Sequence, residues 1–241
     1  MARVGPGLAR APAAPVRAPL AMSSAGAQSE MYGGTRMSPP PDLPSLMLNN
    51  RIVYVGMPIS ASVAELIVAE LLWLQYESES KPCFMYINSP GLITEARQLV
   101  GIDTEGFAIV DTMGYVKAPM STICVGKAYG MAALMLASGD RGKRGAMPYA
   151  TMMLQQSMGQ AQGQASDIKI SALEMMYTRQ QMMQMMAERT GKAVETILKD
   201  SSRQFYLDAQ QAVDYGIIDK ILQKDQLPLT GSVPELSTLR R

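Results

Sequence analysis

The chain has 241 residues, 47% of them apolar, with 22 basic against 21 acidic side chains for a net charge of +1. That length suffices for one sizeable core and falls short of two full domains. The balanced charge offers no basic face for a phosphate backbone or an anionic membrane, so neither nucleic acid nor a membrane is expected as a partner.

The sequence contains no histidine. Histidine is the usual general base for a serine or cysteine nucleophile and the commonest metal ligand, so Ser-His-Asp, Cys-His and histidine-containing zinc designs are all excluded. Cys83 and Cys124 stand alone in apolar runs. Two such distant thiols cannot make a tetrahedral metal site, and they read as small buried hydrophobes. No metal or other cofactor is expected.

Along the chain, the first 29 residues contain no Asp or Glu and carry Arg3, Arg10 and Arg17 among Ala, Pro, Ser and Gly. An arginine-containing, acid-free N-terminus reads as an organellar transit segment. The Pro-rich stretch Ser38–Pro44 is expected to run extended as a linker. These readings set three regions: a transit-like segment with its linker over 1–45, a body over 46–222, and a polar C-terminal tail over 223–241.

Within the body, β-branched and apolar runs predict strands at Arg51–Gly56, Cys83–Asn88, Ser121–Gly126, Arg144–Met147, Thr151–Gln155 and Ile217–Leu222. Helices are predicted at Ser60–Tyr76, with Val63, Leu66, Ile67, Leu71 and Leu74 on its apolar face and Ser60 or Ser62 as cap. Others follow at Thr104–Tyr115, Tyr129–Ala137, Ser166–Arg189, Ala193–Lys199 and Ala209–Asp214. Asp140–Arg144 reads as a solvated charged turn. Alternation of strand and helix with short connections calls for an α/β fold built on a mainly parallel sheet.

The long helix Ser166–Arg189, with Ser166 and Asp167 as its cap, is crowded with methionine. Ile168, Ala172, Met175, Met176, Met182, Met183 and Met186 share one face, while Ile170, Leu173 and Tyr177 lie opposite. One apolar stripe is enough for packing within a domain, so two predict a second partner, and methionine suits an adaptable interface.

Five strings, read in order, then narrow the class: Tyr86-Ile87-Asn88-Ser89-Pro90-Gly91, Ala108-Ile109-Val110-Asp111-Thr112-Met113, Thr122-Ile123-Cys124-Val125-Gly126-Lys127-Ala128, Gly163-Gln164-Ala165-Ser166-Asp167-Ile168 and Ala212-Val213-Asp214-Tyr215-Gly216-Ile217-Ile218-Asp219. Together, over Arg51 to about Leu222, they resemble the ClpP family, the proteolytic subunits of the ATP-dependent Clp protease. The resemblance implies a ClpP/crotonase-like single domain with a protruding handle made of a strand and the long helix. It further implies heptameric rings stacked in pairs and peptide cleavage inside the enclosed chamber.

Matched residue by residue, the family's nucleophilic serine falls on Gly130, its base histidine on Gln155 and its aspartate on Gln204, after Arg203. Its second turn glycine, an oxyanion donor, falls on Leu92. Glycine has no side chain to attack with, and a neutral amide has no useful basicity. The pattern resembles ClpR, the non-catalytic ClpP-like subunits of plastids and cyanobacteria. So does the length of the stretch between Gly91 and Ala108, 16 residues, longer than in catalytic members and expected to alter the groove edge.

What this implies is a subunit that is not itself an enzyme, placed in the chloroplast (plastid) stroma. Its implied partners are catalytic ClpP subunits, other ClpR-type subunits in stacked rings, and an AAA+ Clp unfoldase. Arg203, Met175, Met182 and Met186 are the oligomer-contact candidates. Two alternatives stay open: a serine-type peptidase using a Ser-Lys pair drawn from Lys127, Lys143, Ser121, Ser138 and Ser157, and a crotonase-like CoA enzyme.

Overall fold

The computed structural model describes Met31–Tyr32, Thr35–Arg36 and residues 42–223, apart from 95, 97 and 157. The transit-like segment and the C-terminal tail beyond 223 lie outside the described residues. Met31–Tyr32 (β1) and Thr35–Arg36 (β2) pair antiparallel in a unit of their own, Met1–Pro41. The second unit, Asp42–Arg241, carries everything else.

Its first element is a helix, Leu43–Asn49 (α1). Order was expected from Leu46 after an extended linker; instead the helix starts three residues earlier and takes Pro44 into its first turn. There a missing N–H is no loss and the fixed φ of proline suits the helix. Next come Ile52–Val55 (β3), Ala61–Glu77 (α2), Cys83–Ser89 (β4), Asp103–Tyr115 (α3) and Met120–Tyr129 (β5). After them run Met131–Ala137 (α4), Arg144–Ala146 (β6), Thr151–Leu154 (β7) and Ala165–Thr190 (α5). The chain closes with Val194–Asp200 (α6), Phe205–Leu207 (β8), Ala209–Tyr215 (α7) and Lys220–Ile221 (β9).

The sheet runs β3-β4-β5-β6-β9, all parallel, with β7 parallel to the far end of β5 and β8 antiparallel to β7. β4 alternates buried and half-buried residues from Cys83 to Ser89, as a strand does when one face packs on the core and the other is only partly covered. β5 serves two neighbours because it bends. Its pairing with β4 shifts register between Ile87 and Ser89. Opposite the shift stands Gly126 at φ +97, a conformation that strains any larger residue, with the Asn88 amide oxygen where a Cβ would go. Beyond the bend, Lys127–Tyr129 leaves β6 and pairs with Thr151–Met153.

All seven residues of α4 are buried. Each large apolar side chain so enclosed is worth roughly 1.5–3 kcal/mol, and α3 and α5 pack against this helix. On α2, Ala64, Ile67, Leu71 and Leu74 face the core while Leu66 is exposed, so its buried stripe is narrower than expected. Ser60 occupies the N-cap but its hydroxyl bonds the Ser62 hydroxyl instead of a backbone N–H of the first turn. Cys83 and Cys124 are both fully buried, and burial pushes the Cys124 thiol up to about 12.

Two buried arginines were not foreseen. Arg51 holds φ +61, rare outside glycine. Its guanidinium pairs with Glu77 at 2.8 Å and donates to the carbonyls of Ser78, Lys81 and Pro82, gathering in the end of α2. Arg144, expected in a solvated turn, is 5% exposed. It pairs with Asp219 at 2.6 Å and donates to the carbonyls of Ala137 and Arg189, so it joins the ends of α4 and α5 to the last strand.

Two expectations for the long helix are corrected. Among the described residues between β7 and α5, a stretch rich in Gln and Gly, no strand forms, because none of them pairs with another strand of this chain and there is no ladder to join. Its N-cap is Gln164, not Ser166 or Asp167, which already lie inside the first turn.

Candidate functional site

The bend in β5 decides where the site lies. Beyond Gly126 the strand ends at Tyr129, and Gly130 turns the chain into α4 with φ +54 and ψ −112. That conformation strains any residue bearing a Cβ, although the space beside Gly130 is open. The Gly130 N–H donates to the carbonyl of Met153 at 2.8 Å, fixing the turn to β7.

Gln155 is the first residue after β7, and Gln204 the last before β8. Because Leu154 pairs with Phe205 across that antiparallel ladder, the two glutamines emerge side by side. The Gln204 amide donates to the Gln155 carbonyl oxygen over a long 3.5 Å, and Tyr206 donates to Gln204 at the same distance. The Tyr206 ring stands edge-on to Tyr129, with centroids 5.7 Å apart. Burial, together with the neighbouring Tyr206 phenol, raises the Tyr129 phenol above its ordinary value.

The opposite side comes from the turn after β4. Gly91 has φ +80 and lies so close to the Tyr129 carbonyl that a Cβ would collide with it. The Ser89 hydroxyl donates to Met57 at 2.7 Å and accepts from the Gly91 N–H, while the Gly91 carbonyl accepts from Ile59. Leu92 follows, buried in the pocket wall. Gly130, Gln155 and Leu92 thus line one pocket, whose other walls include Ile93, Leu99, Tyr129, Met153 and Met182. Gln204 reaches it through Gln155.

The side chains now gathered are an absent one, two amides and an alkyl group. Neutral amides donate and accept hydrogen bonds without taking up a proton near neutral pH. Among the described residues no three His, Cys, Asp or Glu side chains cluster as metal ligands would. Of the lysine-serine candidates, Lys143 pairs with Asp140 at 2.9 Å and Ser138 donates to the Leu134 carbonyl. Ser121 is buried, and Ser157 lies outside the described residues.

The contact candidates separate. Arg203 is exposed. Met182 and Met186, at 3% and 1% exposure, are buried in this chain's own core against α4, so they are not available to a partner. Met175 is half-buried and packs against Gly159. The exposed apolar residues of α5 are instead Ile168, Ile170, Leu173, Met176 and Tyr177, in its first half. Sequence reasoning missed Ile93, Leu99, Tyr129 and Tyr206. Alternation of Leu92-Ile93-Thr94 with Gln98-Leu99-Val100 was the only signal for the first pair, and it is a short one.

A mainly parallel sheet whose central strand runs into a positive-φ glycine heading a buried helix defines a mixed α/β domain of the ClpP/crotonase-like class. The chain belongs to the Clp protease family, whose model matches residues 40–225. It is 44% identical to the "Putative ATP-dependent Clp protease proteolytic subunit-like" protein of Synechocystis sp., over 84% of this chain and 95% of that one. To the "ATP-dependent Clp protease proteolytic subunit 2" of Gloeobacter violaceus it is 47% identical, over 85% and 91%. To the chloroplastic "ATP-dependent Clp protease proteolytic subunit-related protein 4" of Arabidopsis thaliana it is 46% identical, over 80% and 63%.

These relatives correct one expectation. A protein 47% identical to this chain is named a proteolytic subunit, so the chain stands among the subunits of a protease and the reading of it as no enzyme is overturned. That reading weighed three side chains, whereas the kinship extends through the whole body.

Proposed function

We propose that this chain is a ClpR-type subunit of a hetero-oligomeric ATP-dependent Clp core, and that its contribution to proteolysis is to complete the ring and the chamber wall. In this reading the body over 46–222 fills one wedge of a seven-membered ring, with other Clp subunits as neighbours and an AAA+ unfoldase docking on the assembly. Gly130, Gln155 and Gln204 stand where catalytic members carry serine, histidine and aspartate, and Leu92 stands at the oxyanion turn. The observation that carries the proposal is the pocket itself: Gly130 turns the chain at positive φ beside Gln155, whose amide oxygen accepts a long 3.5 Å bond from Gln204 next to the pocket.

The exposed first half of α5 supports assembly, since Ile170, Leu173, Met176 and Tyr177 leave a large apolar surface on one chain. Placement in plastid stroma rests on the chloroplastic relative and on the acid-free, arginine-containing first 29 residues. The test is affinity purification of the tagged chain from an organelle extract, with native mass spectrometry. Co-migration with other Clp subunits far above the 26.1 kDa of the single chain is expected. A monomer free of those partners would overturn the proposal.

A further inference from the structure

Between β4 and α3 the chain makes an excursion that ends in the pocket. The Thr94 N–H donates to the Gln98 carbonyl at 2.9 Å and the Val100 N–H to the Leu92 carbonyl at 3.0 Å. Ile93 and Leu99 sit between those bonds as an antiparallel pair. They form the non-hydrogen-bonded kind of pair, in which opposed side chains come closest and share one face. Both line the pocket beside Gly130, and Leu99 also packs on the core. Glu95 and Arg97 lie outside the described residues.

Both legs are anchored at their roots. The first leaves Gly91, which is pressed against the Tyr129 carbonyl and held by the Ile59 N–H. The second ends at Gly101, where a Cβ would strike the Ile59 carbonyl. From there Ile102 donates its N–H to the Glu105 carboxylate at 3.0 Å as α3 begins. The Gln98 N–H is bonded to the Thr94 hydroxyl at 3.1 Å, which ties the legs together a third time.

With Ile93 and Leu99 in place, only about 30 Å³ beside Gly130 is open to the centres of water molecules. A single water needs roughly 10–15 Å³ on that measure. The space admits about two waters and falls short of a large apolar side chain such as leucine.

We infer that Ile93 and Leu99 occupy, from within the chain, the apolar pocket beside Gly130 where a peptide side chain would otherwise seat. They are specificity-determining residues of that groove, and what they determine is exclusion. The inference deepens the proposed function, because it concerns the same groove.

The experiment compares the full-length chain with Ile93→Ser/Leu99→Ser, each in its purified assembly, for binding of a fluorescein-labelled extended Leu/Ala peptide by fluorescence anisotropy. At least tenfold tighter binding by the double variant is expected, with Thr94 and Val100 amides still protected from hydrogen exchange. Equal affinity in variant and parent would overturn the inference. If the variant fails to fold, hydrogen exchange on the unaltered chain decides. Excess peptide should leave protection at Gly130, Ile93 and Val100 unchanged, and added protection there would overturn the inference. Native mass spectrometry of the same samples reads assembly separately, so failure of the ring reading is told apart from failure of this one.

Discussion

The two halves of α5 carry similar side chains and meet opposite fates. From Thr178 onward Met182, Met183, Met186 and Ala187 are buried, whereas Ile168, Ile170, Leu173, Met176 and Tyr177 in the first half are exposed. Composition does not separate them. What does is the presence of α4 and α6 beneath the second half, since both pack on α5. A methionine-rich face therefore marks core where a partner helix of the same chain lies under it, and an unsatisfied surface where none does.

The sharpest way to break that distinction is to truncate one side chain from the buried half. Met186→Ala should cost about 3 kcal/mol, the usual cost of emptying a core site of this size. On a domain this long that lowers Tm by roughly 6–12 °C, read by circular dichroism. A shift below a degree would show that the second half is not core.

Next in size is the latch that holds the end of the helix. Arg144 bonds the Arg189 carbonyl while pairing with Asp219, whose carboxylate also accepts from the Gly142 N–H at 2.7 Å. Burial of the Asp219 carboxyl works upward on its pKa, but the hydrogen bonds and charge of Arg144 outweigh it and hold it below the ordinary value. The sign follows: a depressed carboxyl contributes stability that is fully present above its unfolded pKa and is lost as pH falls through the folded one. Asp219→Asn should cost about 2 kcal/mol, less than a fully buried pair because this carboxylate is 23% exposed. The loss should be seen at neutral pH and should shrink in acid, where the parent carboxyl is also neutral. A penalty independent of pH would separate Asp219 from the latch.

A smaller effect is expected at the helix end itself. Gly191 has φ +78 and donates its N–H to Ala187 at 2.7 Å, with open space where a Cβ would go. Gly191→Ala should therefore cost about 1 kcal/mol from backbone strain alone. A cost near that of Met186→Ala would point to a steric clash instead.

Sequence reasoning reached the sheet, its mainly parallel character and nearly every helix because apolar periodicity and glycine punctuation are local. β4 and α4 were placed within a residue or two, and Gly130, Gln155 and Leu92 were named before their convergence on one pocket was visible. What escaped depends on contacts between distant segments. β8 has three residues, and only its pairing with β7 makes it a strand. Arg144 looked solvated because Asp219, 75 residues on, could not be assigned to it. Met182 and Met186 were offered as contacts because a helical wheel shows which residues share a face and not which face has a neighbour. Ile93 and Leu99 were hidden for the same reason, as two short legs show a pair only once the ladder closes.

The smallest expected effect on the single chain is the most informative about assembly. Ile170→Ser with Leu173→Ser removes two side chains that are 66% and 58% exposed and therefore make little use of their apolar surface within the chain. Surface changes of this kind shift stability by no more than about 0.5 kcal/mol each, so the pair should move Tm by roughly 4 °C at most. If the first half of α5 meets a partner, the same change removes apolar area from that contact, and native mass spectrometry should show the assembled species giving way to smaller ones. A variant that assembles like the parent would place the contact elsewhere. One that loses as much Tm as Met186→Ala when isolated would show that this surface was core after all, and the difference between the two halves would vanish.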